Sequence, residues 1–305
     1  RFSKEPDLHC KLSSAVSVGE LRKQLEYISL NFNVVPLQEL VEKVSNNISL
    51  PPKTAVITID DGYQDFYTVA FPVFKEFRLP VTLFVATDFI EKRCWMWPDT
   101  IRYLLQNSKT SHIYIELAGR LELFRLGTDN LLFSAWNSIS DHLMELSEAA
   151  REDFLCRLAD ICGLEIPGEV AEDYSPLSWV QIVEMVSEGL DVGSHSVTHQ
   201  AMSSLSEQDQ NEELLSSRSV IESNIHTPVT NFCYPYGRES DYSDNSSSLL
   251  SGCGYQGGVV SYHDGNVGGV HELRRFGVMN NHYEFRKVVN GIILIKYKLE
   301  KLLRG

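Results

Sequence analysis

The sequence predicts an α/β fold in which helices alternate with the strands of a parallel sheet. Residues 54–59 and 81–87 are two strongly apolar runs with a helical pattern between them. Strands that are apolar on both faces are typical of parallel sheets covered by helices on both sides. The alternation stops near residue 94 and resumes after residue 176. A β-α-β order favours right-handed crossovers, and six to eight such strands indicate a barrel-like or doubly wound arrangement.

The elements before and between these two strands are assigned from helical signals. Ser17, with an acidic residue three positions later, has the pattern of a capping box and predicts the start of the first helix. A short strand or turn over residues 33–37 leads into a second helix over residues 37–44. The helix between the two apolar strands spans about residues 64–77, where Pro72 is expected to interrupt its regularity.

Residues from about 94 to 176 have a different pattern and are interpreted as an insertion. Two stretches with β-patterning meet around Gly119 and predict a β-hairpin. Helical patterns follow over residues 131–146 and 148–162. Because the α/β alternation continues on both sides, we expect one domain over residues 1–305 with a helical and β-hairpin insertion.

The second half of the α/β pattern follows this insertion. Helical patterns again separate most of the predicted strands. The predicted elements are a helix over residues 178–188, a strand that closes at residue 195, a helix from Ser206, a strand over residues 231–237, a helix near Ser246, strands over residues 257–260 and 272–278, and a long C-terminal helix from about Tyr283.

The composition limits the classes of function. The chain has 305 residues, 43% of them hydrophobic, and a formal net charge of −14. This excess of negative charge argues against a general nucleic-acid-binding protein and against a binder of anionic membranes. No run approaches the roughly 18 consecutive apolar residues that predict a transmembrane helix. The oligomeric state is left open by the sequence.

The cysteines and the first residue bear on the location of the protein. The six cysteines show neither a CxxC pair nor zinc-finger spacing. In a chain of this length they predict mostly buried free thiols, which favours a reducing, cytoplasmic compartment. The first residue is Arg1 rather than Met, so we expect the sequence to begin inside a longer chain, and a preceding signal peptide stays open.

Polar residues follow three of the predicted strands at the points where the strands end. Asp60 and Asp61 come directly after the first apolar strand. His195 closes a later strand, with His199 four positions on, and Tyr236 follows the strand after that. The carboxyl ends of parallel strands share one edge of the sheet, where active sites gather. We therefore expect these five residues to converge.

Asp60 and Asp61 are adjacent carboxylates, and both ionise only where a positive group compensates their repulsion. One Asp with two neutral imidazoles makes a facial site for Zn²⁺ or a similar divalent ion, which leaves positions for water and substrate. The other Asp would stand free to take a proton from the water. Taken singly, the Asp-Asp-Gly stretch also fits a turn or a helix cap, and the two histidines also fit surface positions.

Three stretches resemble the motifs of a known family. "TIDDGYQD", "GSHSVTH" and "FCYPYG" are similar to the first three motifs of the polysaccharide deacetylases, the NodB homology domain of the family 4 carbohydrate esterases. The resemblance runs from about Ser17 to Val278, interrupted by the insertion. It implies a distorted (β/α)7-8 barrel of the NodB type and a mononuclear metal site. It also implies a hydrolase that removes an N-acetyl or related acyl group from a sugar of a surface polysaccharide or its precursor.

The resemblance also implies a role for each residue of the site. Asp60 resembles the catalytic base, and the metal ligands would be Asp61, His195 and His199. Tyr236 resembles the position whose backbone N–H helps to hold the oxyanion. The implied cofactor is one divalent ion, in the first place Zn²⁺, although the donor set also suits Co²⁺, Mn²⁺ and Ni²⁺. The implied partner is an N-acetylated sugar or polysaccharide.

Two features depart from the family pattern. Cys233 stands where the third motif usually has an Arg that pairs with the base. Arg275 is similar to a late arginine of members with the YPYG variant and is the candidate replacement, with a solvated surface arginine as the alternative. No apolar strand that ends in His follows Val278, although the family usually has one there as general acid. His263 and His282 are the nearby candidates for that role.

Two classes of function therefore stay open. The first is a metal-dependent carbohydrate N-deacetylase whose insertion helps to select the substrate. The second is a catalytically weak carbohydrate-binding or scaffold protein on a deacetylase fold, because a fold does not guarantee an activity. The complete set of carboxylates and histidines favours the enzyme, since a binder has no need of a free base beside a metal triad. A polymer, a lipid-linked sugar and a small molecule all stay open as substrates.

Overall fold

The computed structural model of the chain describes residues 1–4, 15–263 and 266–292. These residues separate into two compact units. Unit 2 comprises Cys94–Ser175, and unit 1 comprises the described residues before and after that stretch. Each unit has a hydrophobic core of its own.

The strands of the described residues are short, from two to six residues long. In chain order they are β1 (Phe2–Ser3), β2 (Val16–Ser17), β3 (Asn33–Val34), β4 (Thr54–Ala55), β5 (Thr58–Ile59), β6 (Thr82–Val85), β7 (His112–Leu117), β8 (Arg120–Arg125), β9 (Asp191–Ser194), β10 (Asn231–Cys233), β11 (Gly257–Val260) and β12 (Leu273–Arg274).

The helices alternate with these strands through most of unit 1. They are α1 (Val18–Asn31), α2 (Leu37–Ser45), α3 (Phe71–Phe77), α4 (Thr87–Ile90), α5 (Trp97–Gln106), α6 (Asp129–Met144), α7 (Glu148–Cys162), α8 (Trp179–Ser187), α9 (Glu207–Ile225), α10 (Asp244–Gly252) and α11 (His282–Val289). A π-helical turn covers Phe66–Ala70, and 3₁₀ turns cover Glu172–Tyr174 and Met202–Ser204.

Unit 1 is built on a six-stranded sheet with the strand order β12-β11-β10-β9-β6-β5. Every neighbouring pair in this sheet is parallel. In the chain, α3 lies between β5 and β6, α9 between β9 and β10, and α10 between β10 and β11. The sheet is curled into a half-barrel, which confirms the predicted α/β class and barrel-like architecture.

The predicted strand over residues 54–59 is divided into two strands with different partners. β4 pairs with β3, where Thr54 lies opposite Asn33. β5 pairs with β6, where Thr58 lies opposite Thr82. The residues of both strands are half-buried rather than fully buried. The first part of the apolar run therefore belongs to a two-stranded sheet, and the second part belongs to the six-stranded sheet.

The helix that follows β5 changes type along its length. A π-helical turn over Phe66–Ala70 precedes α3, and Pro72 lies in the first turn of α3. A proline is tolerated there because the first turn of a helix has no partner for its N–H. The predicted interruption near Pro72 is thus a change from π-helical to α-helical geometry.

The core of unit 1 lies between the sheet and its helices. Leu83, Phe84 and Val85 of β6 have no exposed surface, as expected for a central parallel strand. Phe232 of β10 is equally buried, and Phe74 of α3 is 2% exposed. Burial of each such side chain contributes about 1.5–3 kcal/mol, so the strands that carry the polar residues are firmly held.

The first and the last helix of unit 1, α1 and α11, each begin with a side-chain cap. Ser17 caps α1, and its hydroxyl accepts a hydrogen bond from the N–H of Glu20 at 3.3 Å. Asn281 caps α11 and accepts from the N–H of Tyr283 at 3.0 Å. The rest of the predicted C-terminal helix lies outside the described residues. Among the residues that the structure describes, no helix combines the length and the apolar character needed to cross a bilayer.

Unit 2 contains the predicted hairpin and helices. β7 and β8 are antiparallel and are joined by Ala118 and Gly119, whose φ angles are +49° and +77°. Two left-handed residues are typical of tight hairpin turns. The core between the hairpin and α5, α6 and α7 includes Ile101, Ile113 and Leu158. The assignment of this stretch as an insertion into one domain stays a prediction.

Candidate metal centre and catalytic site

Three strands of the six-stranded sheet bring the motif residues to one edge. β5 ends at Ile59, directly before Asp60, and β9 ends at Ser194, directly before His195. β10 ends at Cys233, three positions before Tyr236. The three strands are parallel members of the same sheet, so their carboxyl ends lie on the same side, where the active sites of such folds are found.

Asp61, His195 and His199 form one of two clusters of possible metal-ligating side chains among the described residues, and the other consists of Asp60, His195 and Cys233. The Oδ1 atom of Asp61 lies 3.5 Å from Nε2 of His195 and 3.3 Å from Nε2 of His199. The three ligand atoms lie within 4.8 Å of one another. The two imidazole rings are 4.8 Å apart and nearly perpendicular, at 75°. The structure thus brings together all three residues that the sequence predicts as ligands.

The hydrogen bonding of His195 prepares its ring to bind a cation. Its Nδ1 lies 2.7 Å from the backbone oxygen of Cys233. A carbonyl oxygen can only accept, so Nδ1 carries the hydrogen and Nε2 offers its lone pair toward Asp61. Burial lowers the pKa of His195, which is 3% exposed, and keeps the ring neutral. A carboxylate with two neutral imidazoles is a donor set that fits Zn²⁺ and similar divalent ions.

Asp61 has an unusual backbone conformation. Its φ angle is +74°, in the left-handed region, and Gly62 follows with φ +93°. A Cβ atom at Gly62 would lie 2.6 Å from Cδ1 of Ile90, so only glycine fits this turn. Burial raises the pKa of the Asp61 carboxyl, but the hydrogen bond from His199 and the influence of both imidazoles outweigh it, and the net pKa is below its ordinary value. Backbone strain of this kind is typical of functional sites.

Asp60 is paired with Arg275 rather than with the imidazoles. Nη1 of Arg275 donates to Oδ1 of Asp60 at 2.8 Å, and Nη2 donates to Oδ2. The Arg275 side chain is 19% exposed, so it is not the solvated surface arginine that was the alternative. Burial raises the pKa of Asp60, but the charge of Arg275 and its hydrogen bonds outweigh this effect, and the net pKa lies below its ordinary value.

Three further side chains hold the guanidinium of Arg275 in place. Nη1 donates to the hydroxyl of Thr58 at 2.7 Å, and Nη2 contacts Sγ of Cys233 at 3.0 Å and Oγ of Ser261 at 3.1 Å. Burial raises the pKa of the Cys233 thiol well above its ordinary value, so it is protonated at neutral pH. Cys233 thus stands in the place of the family's usual arginine, and the guanidinium from Arg275 lies against it. Sequence reasoning assigned no role to Thr58, which opens the first motif, or to Ser261, which lies outside all three motifs.

Residues 234–237, which follow β10 and are called the Tyr236 loop, form a tight turn beside the ligand cluster of Asp61, His195 and His199. Tyr236 has φ +58° and Gly237 has φ +64°. The Tyr236 ring lies 4.9 Å from the ring of His199. The oxygen of Gly237 accepts from the N–H of Ser261 at 2.8 Å, and a Cβ atom at Gly237 would lie 2.6 Å from that nitrogen. Ser261 therefore contacts both the Tyr236 loop and the arginine that pairs with Asp60.

The two histidines considered as proton donors lie against aromatic rings. The His263 ring stacks on Phe276, with 3.9 Å between the centroids. His282 packs edge-on against Tyr27, and its Nδ1 lies 3.8 Å from a carboxylate oxygen of Glu20 on α1. These contacts provide no argument for either ring as the general acid.

Comparison with known sequences identifies related proteins. The polysaccharide deacetylase family model matches residues 47–112 and 165–258, more than half of the chain. The stretch between the two matched ranges lies within unit 2. The poly-beta-1,6-N-acetyl-D-glucosamine N-deacetylase of Escherichia coli (strain K12) is 36% identical over 67 residues. That match covers 22% of this chain and 10% of the Escherichia coli protein, so the matched residues span about a tenth of that relative.

Solved structures show the same fold over most of the chain. The Streptococcus pyogenes deacetylase PplD, solved in complex with acetate, matches with a TM-score of 0.57 at 18% identity, over 90% of this chain and 88% of that chain. IcaB from Ammonifex degensii matches with a TM-score of 0.52 at 18% identity, over 90% of this chain and 89% of that chain. At these identities the likeness shows the shared fold.

Proposed function

The chain belongs to the polysaccharide deacetylase family, and from this we propose that it is a metal-dependent hydrolase of N-acetylated sugars. The reaction would remove an N-acetyl or related acyl group from a sugar of a surface polysaccharide or its precursor. The Escherichia coli relative is by name an N-deacetylase of poly-beta-1,6-N-acetyl-D-glucosamine. That name supports the class of substrate proposed here, a chain or building block rich in N-acetylated amino sugar.

The observation that carries the proposal is that a cluster of possible metal ligands and a separately held carboxylate lie at the same edge of the sheet. Asp61, His195 and His199 converge within 4.8 Å of one another, as a metal site requires. Asp60 is adjacent to Asp61 in sequence but is held by Arg275 instead. One carboxylate is thus assigned to a cation, and the other is available for proton transfer.

Hydrolysis of the amide gives each of these residues a task. The water oxygen bonds to the acyl carbon, the C–N bond breaks, and the amine leaves with a proton. When bound, a divalent ion supplies the positive charge that lowers the pKa of water and polarises the acyl carbonyl. Asp60 takes the proton from the water, and Arg275 keeps Asp60 ionised and oriented before that step. Asp60 then donates the proton that it took from the water to the leaving amine.

The Tyr236 loop is assigned to the oxyanion that develops on the acyl oxygen. The role belongs to the backbone N–H of Tyr236, as in the motif that the loop resembles. The left-handed conformations of Tyr236 and Gly237 and the contact of the Tyr236 ring with His199 hold this backbone near the ligand cluster. A fixed donor aimed at a developing negative charge is typically worth 10²–10³-fold in rate.

The test combines metal analysis with acetate release. Purified protein is analysed for bound metal and incubated with N-acetylated sugar oligomers, with and without a chelator. We expect about one divalent ion per chain and acetate release that the chelator abolishes and added Zn²⁺ restores. Bound metal without release of acetate or any other acyl group would favour the sugar-binding alternative. Absence of metal after reconstitution would remove the metal-dependent hydrolase from consideration.

A further inference from the structure

The loop that carries both histidine ligands is conformationally strained. We define the histidine loop as residues 195–199, which follow β9 directly. Ser196 and His199 have φ angles of +68° and +59°, in the left-handed region that residues other than glycine rarely adopt. Such conformations persist where the surroundings hold them. The contacts of this loop therefore decide where the His199 ring points.

Glu213 of α9 makes three hydrogen bonds to the middle of the histidine loop. Its Oε2 accepts from the N–H of Val197 at 2.7 Å and from the N–H of Thr198 at 3.0 Å. Its Oε1 accepts from the hydroxyl of Thr198 at 2.8 Å. Two successive N–H groups after a left-handed residue form an anion-binding concavity, and here the carboxylate of Glu213 fills it.

The other contacts of the histidine loop do not replace this carboxylate. The hydroxyl of Ser196 accepts from the N–H of His199 at 3.0 Å, a bond within the loop itself. The N–H groups of Thr87 and Asp88 donate to the loop oxygens of Ser196 and Val197, at 3.2 and 3.0 Å. These contacts use the loop's oxygens and the N–H of His199. The N–H groups of Val197 and Thr198 donate to Glu213 instead.

α9 also supports the residue before the histidine loop. Ser217, one helical turn after Glu213, shares a hydrogen bond of 2.7 Å with the hydroxyl of Ser194 at the end of β9. Both serines are fully buried. The same face of α9 therefore fixes the chain on both sides of His195, with Ser217 on one side and Glu213 on the other.

We propose that Glu213 is a positioning residue of the metal centre. Its carboxylate holds the left-handed turn that aims Nε2 of His199 at Asp61, 3.3 Å away. Glu213 acts through the backbone N–H groups of Val197 and Thr198 and through the hydroxyl of Thr198. The inference rests on the proposed metal-dependent function, because it concerns the same site. Nothing in the sequence motifs marks Glu213, which lies 14 positions after His199 in a helix rich in carboxylates.

The first test measures zinc affinity. Glu213→Ala and the matched control Glu212→Ala are titrated with Zn²⁺ against a competing chromophoric chelator, and the melting temperature of each metal-free protein is recorded. Glu212 is the exposed neighbour on the same helix. We expect Glu213→Ala to weaken zinc binding about 10–100-fold, the usual cost of losing a residue that orients a ligand, and Glu212→Ala to bind as wild type does. Equal zinc affinity in the two variants overturns the proposal, even if Glu213→Ala melts earlier.

The second test asks whether hydrogen bonding by residue 213 restores the site. In Glu213→Gln the amide oxygen can accept from both backbone N–H groups, and the amide nitrogen can donate to the hydroxyl of Thr198. We expect the zinc affinity of this variant to lie closer to wild type than to Glu213→Ala. An affinity as low as that of Glu213→Ala, in a folded protein with wild-type melting temperature, would contradict the hydrogen-bonding role.

The tests remain informative under two complications. If Glu213→Ala does not fold, Thr198→Val removes one of the three bonds, and unchanged zinc affinity in a folded Thr198→Val variant overturns the proposal. The zinc titration is also separate from the acetate assay. A wild-type protein that binds zinc but releases no acyl group removes the deacetylase proposal, whereas loss of zinc binding in Glu213→Ala still supports the positioning role.

Discussion

Arg275 and Asp60 form a bidentate ion pair across 215 positions of sequence, in which Nη1 donates to Oδ1 at 2.8 Å and Nη2 to Oδ2. Paired hydrogen bonds between a guanidinium and a carboxylate fix both distance and orientation. The pair keeps Asp60 ionised and engages both of its carboxylate oxygens. It therefore explains how two adjacent carboxylates can have different roles.

Removal of Arg275 is expected to change the pH dependence of the reaction. In wild type the guanidinium lowers the pKa of Asp60, so the base stays ionised to low pH. In Arg275→Ala that pKa rises, and the acidic limb of the kcat/KM profile should move to higher pH by about 1–3 units. The measurement is kcat/KM for acetate release from about pH 4 to about pH 9. This range covers the titration of carboxylates and imidazoles.

The neighbouring Arg274 provides the control for that profile. Arg274 lies over the ring of Tyr262, 5.0 Å from its centroid. Arg274→Ala should leave the acidic limb where it is in wild type. Coincident profiles for Arg275→Ala and wild type would mean that Arg275 does not tune the base.

Replacement of the base is expected to separate metal binding from turnover. Asp60→Asn removes the carboxylate that takes the proton but leaves Asp61, His195 and His199 intact. We expect kcat to fall by about 10²–10⁴-fold, while the metal content stays near one ion per chain. Elemental analysis and acetate release on the same preparation check both parts. Full activity in Asp60→Asn would exclude Asp60 as the base.

Replacement of a ligand is expected to abolish both properties together. His199→Ala removes one of the three ligand atoms, and two remaining ligands hold a divalent ion poorly. We expect loss of bound metal on dialysis and loss of acetate release, with partial recovery at high Zn²⁺. His226→Ala is the control, since His226 caps the C-terminal end of α9. Wild-type metal content in His199→Ala would remove this histidine from the ligand set.

The Tyr236 loop is expected to reject a side chain at position 237. Gly237→Ala places a Cβ atom 2.6 Å from the backbone nitrogen of Ser261, in a residue with φ +64°. The left-handed conformation alone costs about 1–2 kcal/mol for a residue other than glycine. We expect a lower melting temperature and a lower kcat in the loaded enzyme.

Gly252→Ala is the matched control for this substitution. Gly252 is the last residue of α10, and a Cβ atom there meets nothing within 4 Å. Alanine is the better helix former by about 1 kcal/mol, so this variant should melt at or above the wild-type temperature. If the two variants behaved alike, the tight contact between the Tyr236 loop and Ser261 would have no energetic weight.

The sequence allowed prediction of the ligand cluster because its members mark the ends of strands. Asp60 and Asp61 follow one strand and His195 follows another, with His199 four positions later, and parallel strands bring their carboxyl ends to one edge. This inference needs only local patterning and the rule of sheet architecture. The same reasoning placed the hairpin around Gly119, because two stretches with alternating polarity flank it.

The supporting contacts could not be predicted in this way. Ser261 and Glu213 lie outside the three motifs, and Thr58 opens one without an assigned role. Each acts through a partner that is distant in sequence or lies on another element. Arg275 was left between two alternatives because nothing local tells a paired arginine from a solvated one. The division of residues 54–59 into two strands was also missed, since a change of pairing partner leaves no mark on an apolar run.

The pairing of β6 with β9 has a consequence for how the chain folds. Thr82 and Asp191 are register partners, joined by a side-chain hydrogen bond of 2.7 Å, although 109 positions separate them. Each doubling of a flexible loop adds only about 0.6 kcal/mol of closure entropy, so a connection eight times longer than a short one costs about 2 kcal/mol more. Unit 2 has a core of its own, and its early collapse would shorten the effective loop. The insertion therefore costs the sheet only modest stability, and because the pairing is non-local we expect β6 and β9 to join late in folding.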